Sequence, residues 1–349
     1  MRSSVGAAGG RKRCHSEKEK EKMGEQKPLV SVIIPCYNAE LYIEQAIRSF
    51  AENTISRMCE LIVVNDGSKD RTKEIVETLI GEYPEHRIVC VEIPNSGVSA
   101  ARNRGISEAR GKYVTFLDAD DMYAGHYLEA LVSGIRKTKA DICLCCWTSS
   151  QDDLTREKVA ATEIPKRKAM DILLYREKPV AVWSMLYRRK IILDSGARFP
   201  VGIKYGEDIE FIWKYILACE KCAFVKAKYY FYRPAPNSAM HRVTWEKTEI
   251  LDAVDHIIEK MKESDPEYVD RFESYMVSRK IIALQKDFAI SGSREYFRRL
   301  ESRSDRKKTL SVAGKGKLPV RLAGLTYSVS PRLFYLFFNG LSGLRKKKE

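Results

Sequence analysis

Three carboxylates end the run Lys112–Asp121: Asp118, Asp120 and Asp121 surround the small Ala119 at the close of Tyr113-Val114-Thr115-Phe116-Leu117. The β-branched and aromatic residues before them read as a short strand, preceded by Gly111, which ends a helix. Carboxylates at the C-terminal end of a parallel strand lie where open α/β sheets bind their ligands. Asp118 and Asp120 flank a single residue. Two acids so spaced can share a hard cation such as Mg2+ or Mn2+, which keeps waters and takes oxygens from a substrate phosphate. An isolated Asp-x-Asp is more often an acidic turn that caps the next helix, so its weight depends on what else the chain brings to the same place.

The elements around it alternate. Leu29 to Ile34 is a buried-strand pattern closed by Pro35-Cys36-Tyr37-Asn38, and a helix follows with Leu41, Ile43, Ala46, Ile47 and Phe50 on its inner face. Leu61 to Val64 is a second strand, closed by Asn65-Asp66-Gly67-Ser68, and Asp70 is placed to cap the helix that carries Ile75, Val76, Leu79 and Ile80. Ile88 to Ile93 is a third strand, and the helix Val98–Ala109 leads to the acidic strand; Asp141 to Trp147 is a further apolar strand. Such alternation predicts an α/β fold, a doubly wound and mostly parallel sheet flanked by helices. Pro35–Asn38, Asp66–Ser68 and Asp118–Asp121 should then meet at one sheet edge. No GxGxxG follows the first strand and no GxxxxGK[ST] occurs anywhere, which removes the main support for a dinucleotide oxidoreductase or a P-loop phosphotransferase.

The chain has 349 residues, 44% hydrophobic and 31% charged, with a net charge of +14. Its basic excess gathers at Arg11–Arg13, along Arg298–Lys308 and at Arg345–Lys348. No RNA-binding signature accompanies it, so the implied partners are anionic lipid or phosphorylated substrate, not nucleic acid. The nine cysteines lie mostly in apolar runs and no secretory signal precedes them, the pattern of reduced, buried thiols in a cytoplasmic protein. Cys219 and Cys222 form a lone CxxC without a second pair. No apolar run approaches the ~20 residues that span a bilayer. The aromatic cluster Leu333–Phe338, followed by Arg345–Lys348, has the composition of an interfacial segment at an anionic leaflet, or else of a buried helix with a solvated basic tail. Residues 1–27 are polar and aperiodic and read as a disordered leader, with Met23 an alternative start.

Read together, VSVIIPCYN, LIVVNDGSKDRT, NSGVSAARNRG and FLDADD, in this order over Ser31–Asp121, resemble the family-two glycosyltransferases with a GT-A type nucleotide-sugar domain. FPVGIKYGEDIEF resembles the family's acceptor-side ED motif. Tyr229–Arg233 with Asn237-Ser238 resembles the end of the catalytic domain in bacterial capsule, exopolysaccharide and wall-polymer transferases. The resemblance covers about Leu29 to His241. It implies a GT-A domain over 28–241, with a nucleotide-sugar half (28–125) and an acceptor half (126–241), followed by a helical C-terminal region (242–349) with a basic, aromatic tail.

Roles carry over residue by residue. Pro35, Tyr37 and Asn38 fall where the family holds base and ribose. Asp66 matches the acid that accepts a hydrogen bond from uracil, and Arg102 would approach the diphosphate. Asp120 is the expected firmer ligand of Mg2+ or Mn2+, with Asp118 on ribose or metal-bound water, and Asp121 a cap of the next helix. Asp208 is the expected general base of an inverting transfer. Glu207 points about 100° away on the same helix and would orient the site. Trp183 would line the acceptor side, and Met185 stands where relatives often have Lys. The implied reaction moves a sugar from a nucleotide donor, a UDP-sugar first, to a glycan or polyprenyl-lipid-linked acceptor, in the cytoplasm or peripherally on the inner face of the membrane. A nucleotidyltransferase, or a glycan-binding scaffold without turnover, remains as an alternative. The presence of Asp66, Asp118, Asp120 and Asp208 together weighs against the scaffold.

Overall fold

The computed structural model describes residues 26–234, 243–301, 310 and 318–345. Most of the leader, the Asn237-Ser238 pair, most of the basic run 298–308, and Lys315, Lys317 and Lys346–Lys348 lie outside the described residues.

Four strands build the first half of the sheet: β1 (Val30–Cys36), β2 (Glu60–Asn65), β3 (Arg87–Glu92) and β4 (Tyr113–Phe116). They pair in the order β3-β2-β1-β4, all parallel, with Cys36 beside Asn65 and Ile33 beside Phe116. Every residue of β1, β2 and β4 is buried, which is why these strands read as unbroken apolar runs without alternation. The helices Ile43–Ala51, Thr72–Glu82 and Val98–Glu108 make the crossovers. Asp70 stands two residues before Thr72 and accepts both its backbone N–H (3.1 Å) and its hydroxyl (2.5 Å). Gly105 lets the third helix lie close on β1: a Cβ there would collide with Ile33 Cγ2.

Beyond β4 the chain adds β5 (Met122–Tyr123), β6 (Ile142–Thr148), β7 (Ala161–Ile164), β8 (Met185–Arg188) and β9 (Cys222–Phe231). β8 runs antiparallel between β4 and β6, β9 lies parallel to β6, and β5 and β7 pair antiparallel with β9. The parallel arrangement read from the sequence therefore holds for β1–β4, and the rest curls on as a mixed sheet. The eight described cysteines are all free, and all but the half-buried Cys90 are buried.

The C-terminal helices Glu249–Ser264, Pro266–Ile290 and Arg294–Glu301 continue the same hydrophobic core. Trp213 of the helix Glu207–Leu217 meets Phe272 edge-on at 4.6 Å, and Tyr175 meets Tyr275 likewise at 4.6 Å. Gly206, just before that helix, has φ +103°. A side chain there would be strained, and its Cβ would reach Ala253 Cβ at 2.9 Å. The last described helices, Leu318–Val329 and Pro331–Arg345, bury Tyr327 and Phe334 against Phe297. Their other side exposes Leu322, Leu325, Val329, Leu333, Leu336 and Phe337. Among the described residues no helix is long and apolar enough to cross a membrane.

Candidate active site

Because β2, β1 and β4 are parallel neighbours, their C-terminal loops open into one cleft of about 410 Å³. Pro35, Tyr37 and Asn38 line it from β1, Asp66 from β2, and Asp118 and Asp120 from β4; Arg102 enters from the helix Val98–Glu108. Tyr37 is 47% exposed, which leaves its ring free to stack on a flat partner. Asn38, with φ +47°, is occupied in bracing the loops. Its N–H donates to Ser68 Oγ (3.0 Å) and its Oδ1 accepts the Lys69 N–H (2.9 Å). Asp66 is buried, and its two oxygens accept the backbone N–H groups of Ser96 (2.7 Å) and Gly97 (2.8 Å). Those bonds fix the carboxylate while each oxygen keeps a lone pair for a further donor.

Arg102 is the hub of the charged wall. It is 5% exposed; Nη2 donates to Asp118 Oδ1 at 2.8 Å, and Nη1 stands 3.8 Å from Glu207 Oε1. Its guanidinium lies 5.2 Å from the centre of the Phe199 ring. Burial, and then the charge of Asp118, push the Asp120 carboxyl above its ordinary range. An acid held up in this way is one whose charged form a cation would stabilise.

Asp121, expected to cap the following helix, does not do so; that helix begins at Tyr127 after His126. The Asp121 side chain turns into the protein and accepts the Tyr230 O–H (2.7 Å) and the Arg233 N–H (2.8 Å). Burial, followed by the charge of Asp118, raises its carboxyl to about 8. Tyr230 also accepts the Asp118 N–H (3.1 Å), and Arg233 Nε donates to the Asp120 carbonyl (2.8 Å). These two residues of β9 and its end hold the acidic loop from behind. The motif-like stretch Tyr229–Arg233 was their only trace in the sequence. Trp183, expected on the acceptor side, is buried and stacks on Tyr230 at 4.0 Å and on Tyr232 at 5.7 Å. Met185 is fully buried, and its carbonyl accepts the Thr115 hydroxyl at 2.8 Å.

Glu207 and Asp208 open the helix Glu207–Leu217 and face different ways. Glu207 looks to Arg102. Asp208 lines a neighbouring cavity of about 80 Å³, and its Oδ1 accepts the Ile209 N–H at 2.7 Å. Burial and the adjacent Asp208 lift the Glu207 carboxyl from 4.5 to about 7, against the pull of Arg102. Its proton is thus kept in the folded chain after the unfolded chain has released it, and stability falls as pH rises from about 4.5 to 7. Glu207→Gln removes that loss. Its melting temperature should gain on the wild type across this window and hold the gain above it; a difference that stays constant from pH 4 to pH 8 would refute the assignment.

Among the described residues no three His, Cys, Asp or Glu side chains converge as a metal site. Asp118 and Asp120 offer two carboxylates at one mouth, a donor set that a cation completes only with substrate oxygens and water.

A parallel sheet over β1–β4 with acids at its strand ends, curling into a mixed second half backed by helices, defines a GT-A type fold. The family model for Glycosyl transferase family 2 matches residues 31–196, so this stretch carries a domain of that glycosyltransferase type. The uncharacterized glycosyltransferase EpsJ of Bacillus subtilis is 32% identical over 220 residues, 60% of this chain and 62% of EpsJ. Among solved structures, S. aureus TarS 1–349 in complex with UDP-GlcNAc superposes with a TM-score of 0.62 at 19% identity, over 92% of both chains. The mannosyltransferase PcManGT of Pyrobaculum calidifontis, in complex with GDP-Man and Mn2+, gives 0.54 at 17% identity, over 96% of this chain and 95% of that one. At these identities the two structures speak for the fold.

Proposed function

We propose that the chain catalyses an inverting, cation-dependent transfer of a sugar from a nucleotide-sugar donor, a UDP-sugar in our reading, to a glycan or lipid-linked acceptor. The convergence of Tyr37, Asp66, Asp118 and Asp120 in one cleft carries this reading. The Tyr37 ring offers a face for a base, Asp66 an acceptor for the uracil N–H, and Arg102 and the acids surround the position of a diphosphate. Asp118 and Asp120 would hold Mg2+ or Mn2+, which supplies Lewis-acid neutralisation of the leaving diphosphate. The nucleotide sugars in the TarS and PcManGT complexes support a donor of this class. Asp208 would take the proton of the acceptor hydroxyl, with Glu207 and Arg102 as positioning residues.

The exposed stripe Leu322, Leu325, Val329, Leu333, Leu336 and Phe337 supports a peripheral place on the cytoplasmic face of the membrane. Apolar surface on helices that also carry Arg321 and Arg332 suits an anionic leaflet. The test offers UDP-, GDP- and dTDP-sugars with Mn2+ or Mg2+, with and without EDTA. One nucleotide should be released, the release should stop with EDTA, and Asp120→Ala should abolish it. Failure of every nucleotide sugar to bind with either metal would end this reading.

A further inference from the structure

The cavity beside Asp208 holds more positive charge than the reaction described so far requires. Arg176 ends the helix Lys166–Tyr175 in the left-handed conformation (φ +51°), and Arg279 and Lys280 come from the long helix Pro266–Ile290. All three line the same space of about 80 Å³ between the catalytic half and the C-terminal helices. The remaining lining is largely apolar, with Val180, Ile212 and Met276 among it. Lys280 is 8% exposed. Among the described residues none of the three cations forms an ion pair within 4.0 Å, although Asp208 shares the cavity. Three cations against one carboxylate leave an excess of +2 when Lys280 is protonated.

Arg176 is exposed at the mouth and Arg279 half-buried, so the unpaired charge that is costly to bury is that of Lys280, and a bound anion would offset it. The strain is visible: burial and the two arginines pull the Lys280 ammonium down to about 7, and burial with Arg176 pulls Arg279 down to about 10. A tetrahedral oxyanion fits the volume, and a phosphate fits the charge, since guanidinium groups pair with its oxygens through parallel N–H donors.

We propose that Arg176, Arg279 and Lys280 form a phosphate-binding subsite that docks a phosphorylated acceptor with its hydroxyl at Asp208. This deepens the transferase reading and rests on it for the word acceptor. The phosphate has two possible sources, the diphosphate of a polyprenyl-linked glycan or a phosphodiester in a polyol-phosphate polymer.

The test uses the full chain with its nucleotide cleft first saturated with UDP, and inorganic pyrophosphate as probe. Pyrophosphate should raise the melting temperature of the wild type, and the response should disappear in Arg279→Gln and Lys280→Met. Lys280→Met should itself melt no lower than the wild type, because an apolar side chain of similar length replaces a buried unpaired cation. The lost response is then not a folding defect. Equal responses in wild type and variants, or none in the wild type, would overturn the subsite.

Transfer is then compared on a polyol-phosphate polymer, a polyprenyl-diphosphate glycan in vesicles and a neutral oligosaccharide. KM for one phosphorylated acceptor should rise about tenfold in both variants, in line with the loss of one charge-assisted contact. An unchanged KM, or equal use of the neutral oligosaccharide, would count against the proposal. The UDP titration is read separately: a chain that binds pyrophosphate here but no nucleotide refutes the donor reading and leaves the subsite standing.

Discussion

Asp208→Asn should keep nucleotide-sugar binding and lose transfer by roughly 10²–10⁴-fold, the usual contribution of a positioned general base. The amide is nearly the shape of the carboxylate and can still accept the Ile209 N–H that orients the Asp208 side chain. What it cannot do is take a proton from an incoming hydroxyl. Asp208 is not among the residues that line the cleft around Asp66 and Asp120, though its charge reaches Arg102 there, so donor affinity should stay within about twofold while single-turnover product formation collapses. Wild-type turnover in Asp208→Asn would move the base elsewhere, and Glu207, whose carboxyl is raised to about 7, would be the first to examine.

Arg102→Leu should cost about 3 kcal/mol of stability, the lower end of the range for breaking a buried charge pair from one side. Arg102 is almost wholly enclosed, and its loss strands Asp118 and Glu207, which are themselves largely covered (24% and 16% exposed). The measurement is the urea midpoint at constant m. Adding Glu207→Gln to Arg102→Leu should recover part of the loss, because one stranded charge goes with it. A single variant within about 0.5 kcal/mol of wild type, the usual range for exposed sites, would mean that Arg102 is not the hub of this wall. Metal-dependent nucleotide release should also weaken, since Asp118 loses the bond that orients it.

The parallel half of the sheet, β1–β4, was legible because its information is local. Unbroken apolar strands, periodic helices and polar strand ends stand in order along the chain, and parallel topology then brings the ends together without further instruction. What the sequence hid depends on distant partners. The antiparallel pairing of β8 between β4 and β6 brings Tyr187 beside both Val114 and Ile142, and no periodicity near Met185 announces it. The partners of Asp121 lie 109 and 112 residues away, so a local reading made it a helix cap. Trp183, read as lining the acceptor side, stacks on Tyr230 and Tyr232, partners that no local pattern names. Glu207 and Asp208 were expected to diverge by about 100°, but only the packed helices reveal that one faces Arg102 and the other a cationic cavity.

Gly206 has a consequence for anyone who would recombine this chain with its relatives. The backbone leading into Glu207 has room for no side chain where it passes Ile250 and Ala253, so the two segments interlock across what reads as a boundary near residue 241. A chimera joined there inherits one half of a fitted surface from each parent. Unless positions 206, 250 and 253 travel together, the graft will shift the very turn that aims its acids, and specificity exchanged in this way will arrive with impaired turnover.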